Sequence, residues 1–189
     1  MAQRVQPVAQ ESPLPSLNRY ITTHDDSTGK AIFSSAVPEQ NPTQIIPGAV
    51  FRQGYVTKKF PAQLNGDEDL DAYRSFLKSP PGIVNQSGTV LRIVDMHPAF
   101  TSPMHRTVSL DYGIVLEGEV DLVLDSGEVR TMKRGDMAIQ RGTMHAWRNN
   151  HPTEWARVAF ILQPSEPVEV GGKKLGEDYG DMEGVKKSE

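Results

Sequence analysis

A chain of 189 residues is long enough for one domain with its own core plus extensions, and 37% hydrophobic with 23% charged residues is the balance of an ordinary globular protein. The formal net charge is −4, with acids and bases interspersed and no basic stripe to track a phosphate backbone, which argues against a nucleic-acid partner. The absence of cysteine removes disulfides, thiolate metal ligands and a thiol nucleophile together.

Residues 1–16 are rich in proline and polar groups and read as a draped arm. The start, Met1-Ala2-Gln3-Arg4-Val5-Gln6-Pro7, lacks the apolar run of a secretory signal. No stretch approaches the roughly 20 apolar residues of a membrane span. The expectation is a cytoplasmic protein with no membrane partner. Arg19–His24 and Ala31–Phe33 flank the turn-like Asp25-Asp26-Ser27-Thr28-Gly29, a hairpin signature. An isolated hairpin is marginal, so it must pair with the main sheet or across a homodimer.

Residues 36–50 read as a connection. Asp67–Lys78 reads as one short helix, with acids in its first turn and Leu70, Tyr73, Phe76 and Leu77 on one face, ended by Pro80-Pro81-Gly82. From residue 89 the texture changes to short β-type runs: Thr89–Met96, Thr107–Leu110, Tyr112–Leu116, Val120–Leu124, Val129–Met132, Asp136–Gln140, Ala146–Arg148 and Trp155–Leu162. Asp125-Ser126-Gly127 marks a tight turn between two of them. Strands at this spacing, with no helices between, predict an antiparallel sandwich or closed barrel. The glycine- and charge-rich stretch after Pro164 reads as a flexible tail.

Two blocks inside this β region carry chemistry. The first is His105-Arg106-Thr107-Val108-Ser109-Leu110-Asp111, followed after six residues by Gly118. The second runs from Gly135 through Gln140, Gly142 and His145 to Asn149. These blocks resemble the paired motifs of the cupin superfamily: His-x-His, a short spacer, Glu and Gly, then Gly, Pro-x-Gly, His and Asn. The likeness covers roughly residues 89–163. It also looks like small single-domain cupins of the cupin-2 type, similar to proteins found beside bacterial catabolic genes and in fungal polyketide gene clusters. Thr107 stands where the pattern has its second histidine, Asp111 where it has glutamate, and Gln140 where it has proline.

The resemblance implies an all-β cupin jelly-roll barrel with an N-terminal hairpin arm and one short helix. The expected divisions are 1–45 for the arm and hairpin, 46–165 for the barrel and 166–189 for the tail. In a strand, residues two apart share a face, so His105 goes with Thr107 and His145 with Trp147. If the two strands face one another, His105, Asp111 and His145 can converge on a divalent ion such as zinc, iron or manganese. The same residues with Thr107 can instead form a metal-free polar network.

The resemblance also implies a small-molecule substrate. The expected activity is a lyase, a decarboxylase or dehydratase, on an aromatic or polyketide-type acid. A metal-dependent dioxygenase and a non-enzymatic binding protein are the alternatives. His105, Asp111 and His145 are the expected catalytic core, with His97 or Gln140 placed for proton transfer or orientation. Thr107, Tyr112, Trp147, Arg106 and Arg141 are candidates to hold substrate. For the two arginines, surface or interface salt bridges are the competing role, and for Tyr112 and Trp147 plain barrel packing.

Overall fold

The computed structural model describes residues 9–188; the first eight residues of the expected arm and Glu189 lie outside it. The N-terminal hairpin pairs β1 (Thr22–His24) with β2 (Ala31–Phe33). Asp25 holds its turn by accepting the Thr28 backbone N–H at 2.8 Å. Next come β3 (Thr43–Ile46), β4 (Ala49–Val56), a short 3-10 turn and helix α1 (Glu68–Lys78). The barrel strands follow: β5 (Val90–Met96), β6 (Ser109–Glu117), β7 (Glu119–Leu124), β8 (Val129–Lys133), β9 (Met137–Arg141), β10 (His145–Arg148) and β11 (Ala156–Pro164). β12 (Glu169–Val170) and β13 (Lys173–Lys174) form a last small hairpin.

A six-stranded sheet in the order β3-β4-β5-β11-β6-β9 faces a three-stranded sheet in the order β10-β7-β8. Every pairing in both is antiparallel. The core lies between them, with Ala49, Val94, Val115 and Val158 from one sheet meeting Val120, Met132 and Trp147 from the other. This is a jelly-roll barrel, as the resemblance implied. A second cluster fills one end, where Tyr73 of α1 packs with Val56, Val90 and Leu162.

Several elements differ from the sequence reading. The runs Thr107–Leu110 and Tyr112–Leu116 belong to one strand, β6, with Asp111 inside it rather than between two strands. β3 lies within the segment read as a connection. Pro42 and Pro47 bracket it, and a strand at the sheet edge tolerates them because its outer N–H groups have no ladder partner to lose. β4 was missed because Arg52 breaks its apolar pattern. The segment from 166 to 188, expected to be flexible, is packed along the barrel. Arg106 and Asp178 exchange backbone hydrogen bonds of 2.6 and 2.9 Å. Tyr179, Met182 and Val185 cover the second cluster. A side chain at Gly82 would meet the Lys187 carbonyl at 2.2 Å, so the segment lies directly on the loop after α1.

Arg52 is buried because its charge is answered from elsewhere. Its Nη1 donates to Asp95 Oδ2 at 2.6 Å, and Arg157 grips the same carboxylate through Nε and Nη2 at 2.5 and 2.8 Å. All three side chains are essentially sealed from solvent. Burial pushes the Asp95 carboxyl up, but hydrogen bonds from Arg157, Ser12 and Arg52 outweigh it and hold the group below the ordinary carboxylate value. Asp95 therefore stabilises the fold above about pH 4, and that contribution is lost as the pH falls through its depressed value. Asp95→Asn strands two buried guanidinium groups and should cost roughly 3–5 kcal/mol of unfolding free energy. Urea titration checks this, and the variant should lose less stability than the parent as the pH falls below about 4.

Candidate functional site

The barrel encloses a cavity of about 110 Å³, room for a molecule on the scale of one substituted ring. Phe51, Val94, Phe100, Trp147, Phe160 and Met182 supply an apolar lining, and His105, Thr107, Asp111, Gln140, His145 and Arg92 supply the polar groups.

The two histidines meet through the backbone. His105 and His145 form an isolated antiparallel bridge, with reciprocal N–H···O bonds of 2.8 and 2.9 Å. Directly paired residues carry their side chains on the same face, and the rings stand 4.3 Å apart between centroids. His105 Nδ1 lies 2.9 Å from the Pro103 carbonyl, and His145 Nδ1 lies 2.9 Å from the Thr143 carbonyl. A carbonyl can only accept, so each Nδ1 carries the proton and each Nε2 keeps its lone pair. Burial lowers both pKa values, that of His145 to about 3 with help from the neighbouring His105. Both rings are neutral at physiological pH.

β6 supplies the carboxylate. Thr107, just before it, and Ser109, Asp111 and Gly113 within it share the inward face. Ser109 donates to Thr107 Oγ1 at 2.7 Å, and Thr107 donates to Asp111 Oδ2 at 3.2 Å. The other oxygen, Oδ1, is buried with no partner among the described residues. Gln140, cross-strand neighbour of Asp111 in the β6–β9 ladder, leaves its Nε2 equally unpartnered. Burial pushes the Asp111 carboxyl up to about 6, against the pull of the Ser109 and Thr107 hydroxyls. Gly113 completes the strand for a steric reason: a Cβ there would stand 2.9 Å from the Trp147 ring that lines the cavity.

His105, Thr107, Asp111, Gln140, His145 and Trp147 are thus brought together. Four other candidates are not. His97 turns Nδ1 to the Pro98 carbonyl at 2.6 Å and packs edge-on to Trp155, outside the cavity. Tyr112 alternates to the outer face of β6. Arg106 donates to the Gly176 carbonyl at 2.8 Å, and Arg141 is exposed. Arg92 was overlooked, although the alternation Val90, Arg92, Val94, Met96 puts an arginine on an otherwise apolar inward face.

The ion suggested by the motif spacing needs three donors at one point. Two imidazole lone pairs are available, but among the described residues no three His, Cys, Asp or Glu side chains are grouped closely enough to share a metal. Thr107, at the position of a ligand in the family pattern, spends its hydroxyl on Asp111. The donor set does not fit a complete three-residue site.

A Cupin domain model matches residues 92–161. The chain is 51% identical over 168 residues to phomopsin biosynthesis cluster protein D of Diaporthe leptostromiformis, covering 88% of each protein. It is 42% identical to oryzines biosynthesis cluster protein J of Aspergillus oryzae, covering 91% of this chain and 96% of that one. It is 38% identical to the cupin-domain-containing oxidoreductase fogC of Aspergillus ruber, covering 88% and 83%. The chain belongs to the cupin family. Among solved structures, this cupin superposes on the polyketide cyclase RemF of Streptomyces resistomycificus with a TM-score of 0.46 and 18% identity, over 77% of this chain and 83% of that one.

Because its folded pKa is raised, Asp111 favours folding below about pH 4, and that contribution is lost as the pH climbs to about 6. Asp111→Asn removes this loss. Relative to the parent, the variant should gain roughly 3 kcal/mol of stability between pH 4 and pH 7, measured by denaturant titration across that range.

Proposed function

We propose that this cupin is a lyase of secondary metabolism that takes a proton beside a carbonyl group in one small acid of aromatic or polyketide type. The observation that carries the reading is the pair of unsatisfied buried groups, Asp111 Oδ1 and Gln140 Nε2, on neighbouring strands facing one cavity. A buried orphan acceptor beside a buried orphan donor is costly unless a ligand completes both. A carbonyl oxygen accepting from Gln140 completes the donor and sets its α-carbon against the free Asp111 oxygen, the group able to take the proton.

The steps balance without a co-reactant. The Asp111 carboxylate takes the α-proton, and the electron pair moves to an enolate whose oxygen Gln140 steadies. The enolate then expels a β-hydroxyl, which leaves as water with the proton Asp111 has just taken. His105 and His145, neutral and presenting Nε2 acceptors, orient substrate hydroxyl groups. Dehydration fits these groups directly. Decarboxylation uses the same enolate in a different order, with neutral Asp111 returning a proton to carbon. Relatives in biosynthesis clusters support a biosynthetic setting.

A second reading has one observation in its favour: several relatives, fogC among them, are named oxidoreductases. Oxidation, as by an iron-dependent dioxygenase, would consume oxygen. The test is anaerobic incubation in deuterium oxide with a panel of β-hydroxycarbonyl acids, followed by mass spectrometry. Anaerobic loss of water supports the lyase, with solvent deuterium entering carbon only where decarboxylation is the step; product formed only with oxygen uptake overturns it.

In the same reading the enzyme works in the cytoplasm as a homodimer joined through the N-terminal hairpin, which leaves Tyr20, Ile32 and Phe33 exposed. Among the described residues no helix is long and apolar enough to cross a membrane. Sedimentation of Phe33→Ser should shift the protein toward monomer.

With the carboxylate as base, kcat/KM should rise with pH through about 6 and then stay level past neutrality, because the histidines do not charge in that range. Asp111→Asn should cut kcat by about 10²–10⁴-fold and abolish the limb. Stopped assays across pH 5–8 read both.

A further inference from the structure

Arg92 has no part in the chemistry just described, yet it occupies the same cavity. It is 6% exposed and lines the chamber from the inward face of β5. Its guanidinium lies over the Phe51 ring, 5.3 Å from the centroid. Nη2 donates to the Gly82 carbonyl at 3.0 Å and to Gln53 Oε1 at 3.4 Å. Both acceptors are neutral.

The contrast with the other sealed arginines is informative. Arg52 and Arg157 share Asp95, whereas among the described residues no carboxylate lies within ion-pair distance of Arg92. Glu183, which reaches the lining from the C-terminal segment, makes no ion pair with it. Burial pulls the Arg92 pKa down, but only to about 10, so the group stays cationic at neutral pH. A buried cation with no counter-charge at hand is expensive. The Asp111 carboxylate of the same cavity lies two strands away and makes no ion pair with Arg92, so the guanidinium is left without a direct anionic partner.

We propose that Arg92 binds the carboxylate of the substrate, which makes the ligand a small organic acid that keeps its carboxylate through the reaction as a handle. The inference rests on the lyase reading and narrows it. In the sheet, Arg92 pairs with Phe160 on β11, and Phe160 pairs on its other side with Gly113 on β6, two residues from Asp111. Two strand spacings, about 10 Å, separate the β5 and β6 backbones. The Phe160 ring lines the floor between them. A carboxylate on Arg92 therefore leaves the carbon facing Asp111 and Gln140 on the far side of a ring-sized body. The carboxylate is not at the reacting centre, which favours elimination of water over loss of carbon dioxide.

The test uses benzoate and its neutral analogue benzamide as probes, titrated into the full-length protein with calorimetric or Trp147 fluorescence readout. The parent should bind benzoate at least ~10-fold more tightly than benzamide, the size of effect expected of a charge-assisted pair. Arg92→Gln should lose that preference and Arg92→Lys should keep part of it. Asp111→Asn should leave it intact, which separates failure of this assignment from failure of the proton-transfer reading. A crystal of the parent grown with benzoate gives an answer independent of any variant, with the carboxylate expected within hydrogen-bond distance of Arg92. Equal affinity for the two probes, no benzoate binding at millimolar concentration, an unchanged preference in Arg92→Gln, or a benzoate carboxylate seated elsewhere overturns the proposal.

Discussion

The site depends on one backbone contact, the reciprocal pairing of His105 with His145. The segment before β6 has no long strand of its own. It joins the three-stranded sheet through isolated bridges, Thr101 to Arg148 and His105 to His145. Those bridges bring together two residues 40 positions apart in the sequence and orient both rings into the barrel. The carbonyls of Pro103 and Thr143, each two residues before its histidine, then set the tautomer. Backbone geometry thus decides which ring nitrogen faces the ligand, and burial keeps both rings uncharged.

Around that contact the interior is uneven in charge. On the outer face of β5, the charges of Arg52, Asp95 and Arg157 are bound together. Inside the barrel the polar groups are left incomplete: Asp111 with one free oxygen, Gln140 with a free amide nitrogen, and Arg92 with neutral acceptors. A protein interior normally satisfies such groups. Their concentration on one apolar chamber, with structural charges sealed elsewhere, is the pattern of a site that a ligand completes. The C-terminal segment belongs to this chamber, since Met182 and Glu183 reach its lining.

Much of the fold could be read directly. The helix was expected at Asp67–Lys78 and lies at Glu68–Lys78, because acids at its start and an apolar face are local features. The strands from Val90 to Pro164 followed from turn residues and β-type runs. β4 escaped notice because an arginine in an apolar slot looks like a fault until Asp95, 43 residues away, answers it. The packed C-terminal segment escaped because its composition is that of a solvated tail, and only the surface it covers explains its order.

For the site, spacing and alternation were enough to nominate His105, Thr107, Asp111, Gln140 and His145, because motif position and strand period are properties of the chain itself. His97, Tyr112, Arg106 and Arg141 had plausible chemistry but the wrong direction, and direction is settled by neighbouring strands. The sequence by itself determined a β-barrel with two histidines and a carboxylate near its centre. The tertiary structure decided that the histidines pair without gathering Asp111 as a third ligand, that Asp111 and Gln140 keep unsatisfied atoms, and that Arg92 is the cation inside. The reason is physical: burial and the pairing of charges depend on residues far apart in the chain, and no local pattern encodes them.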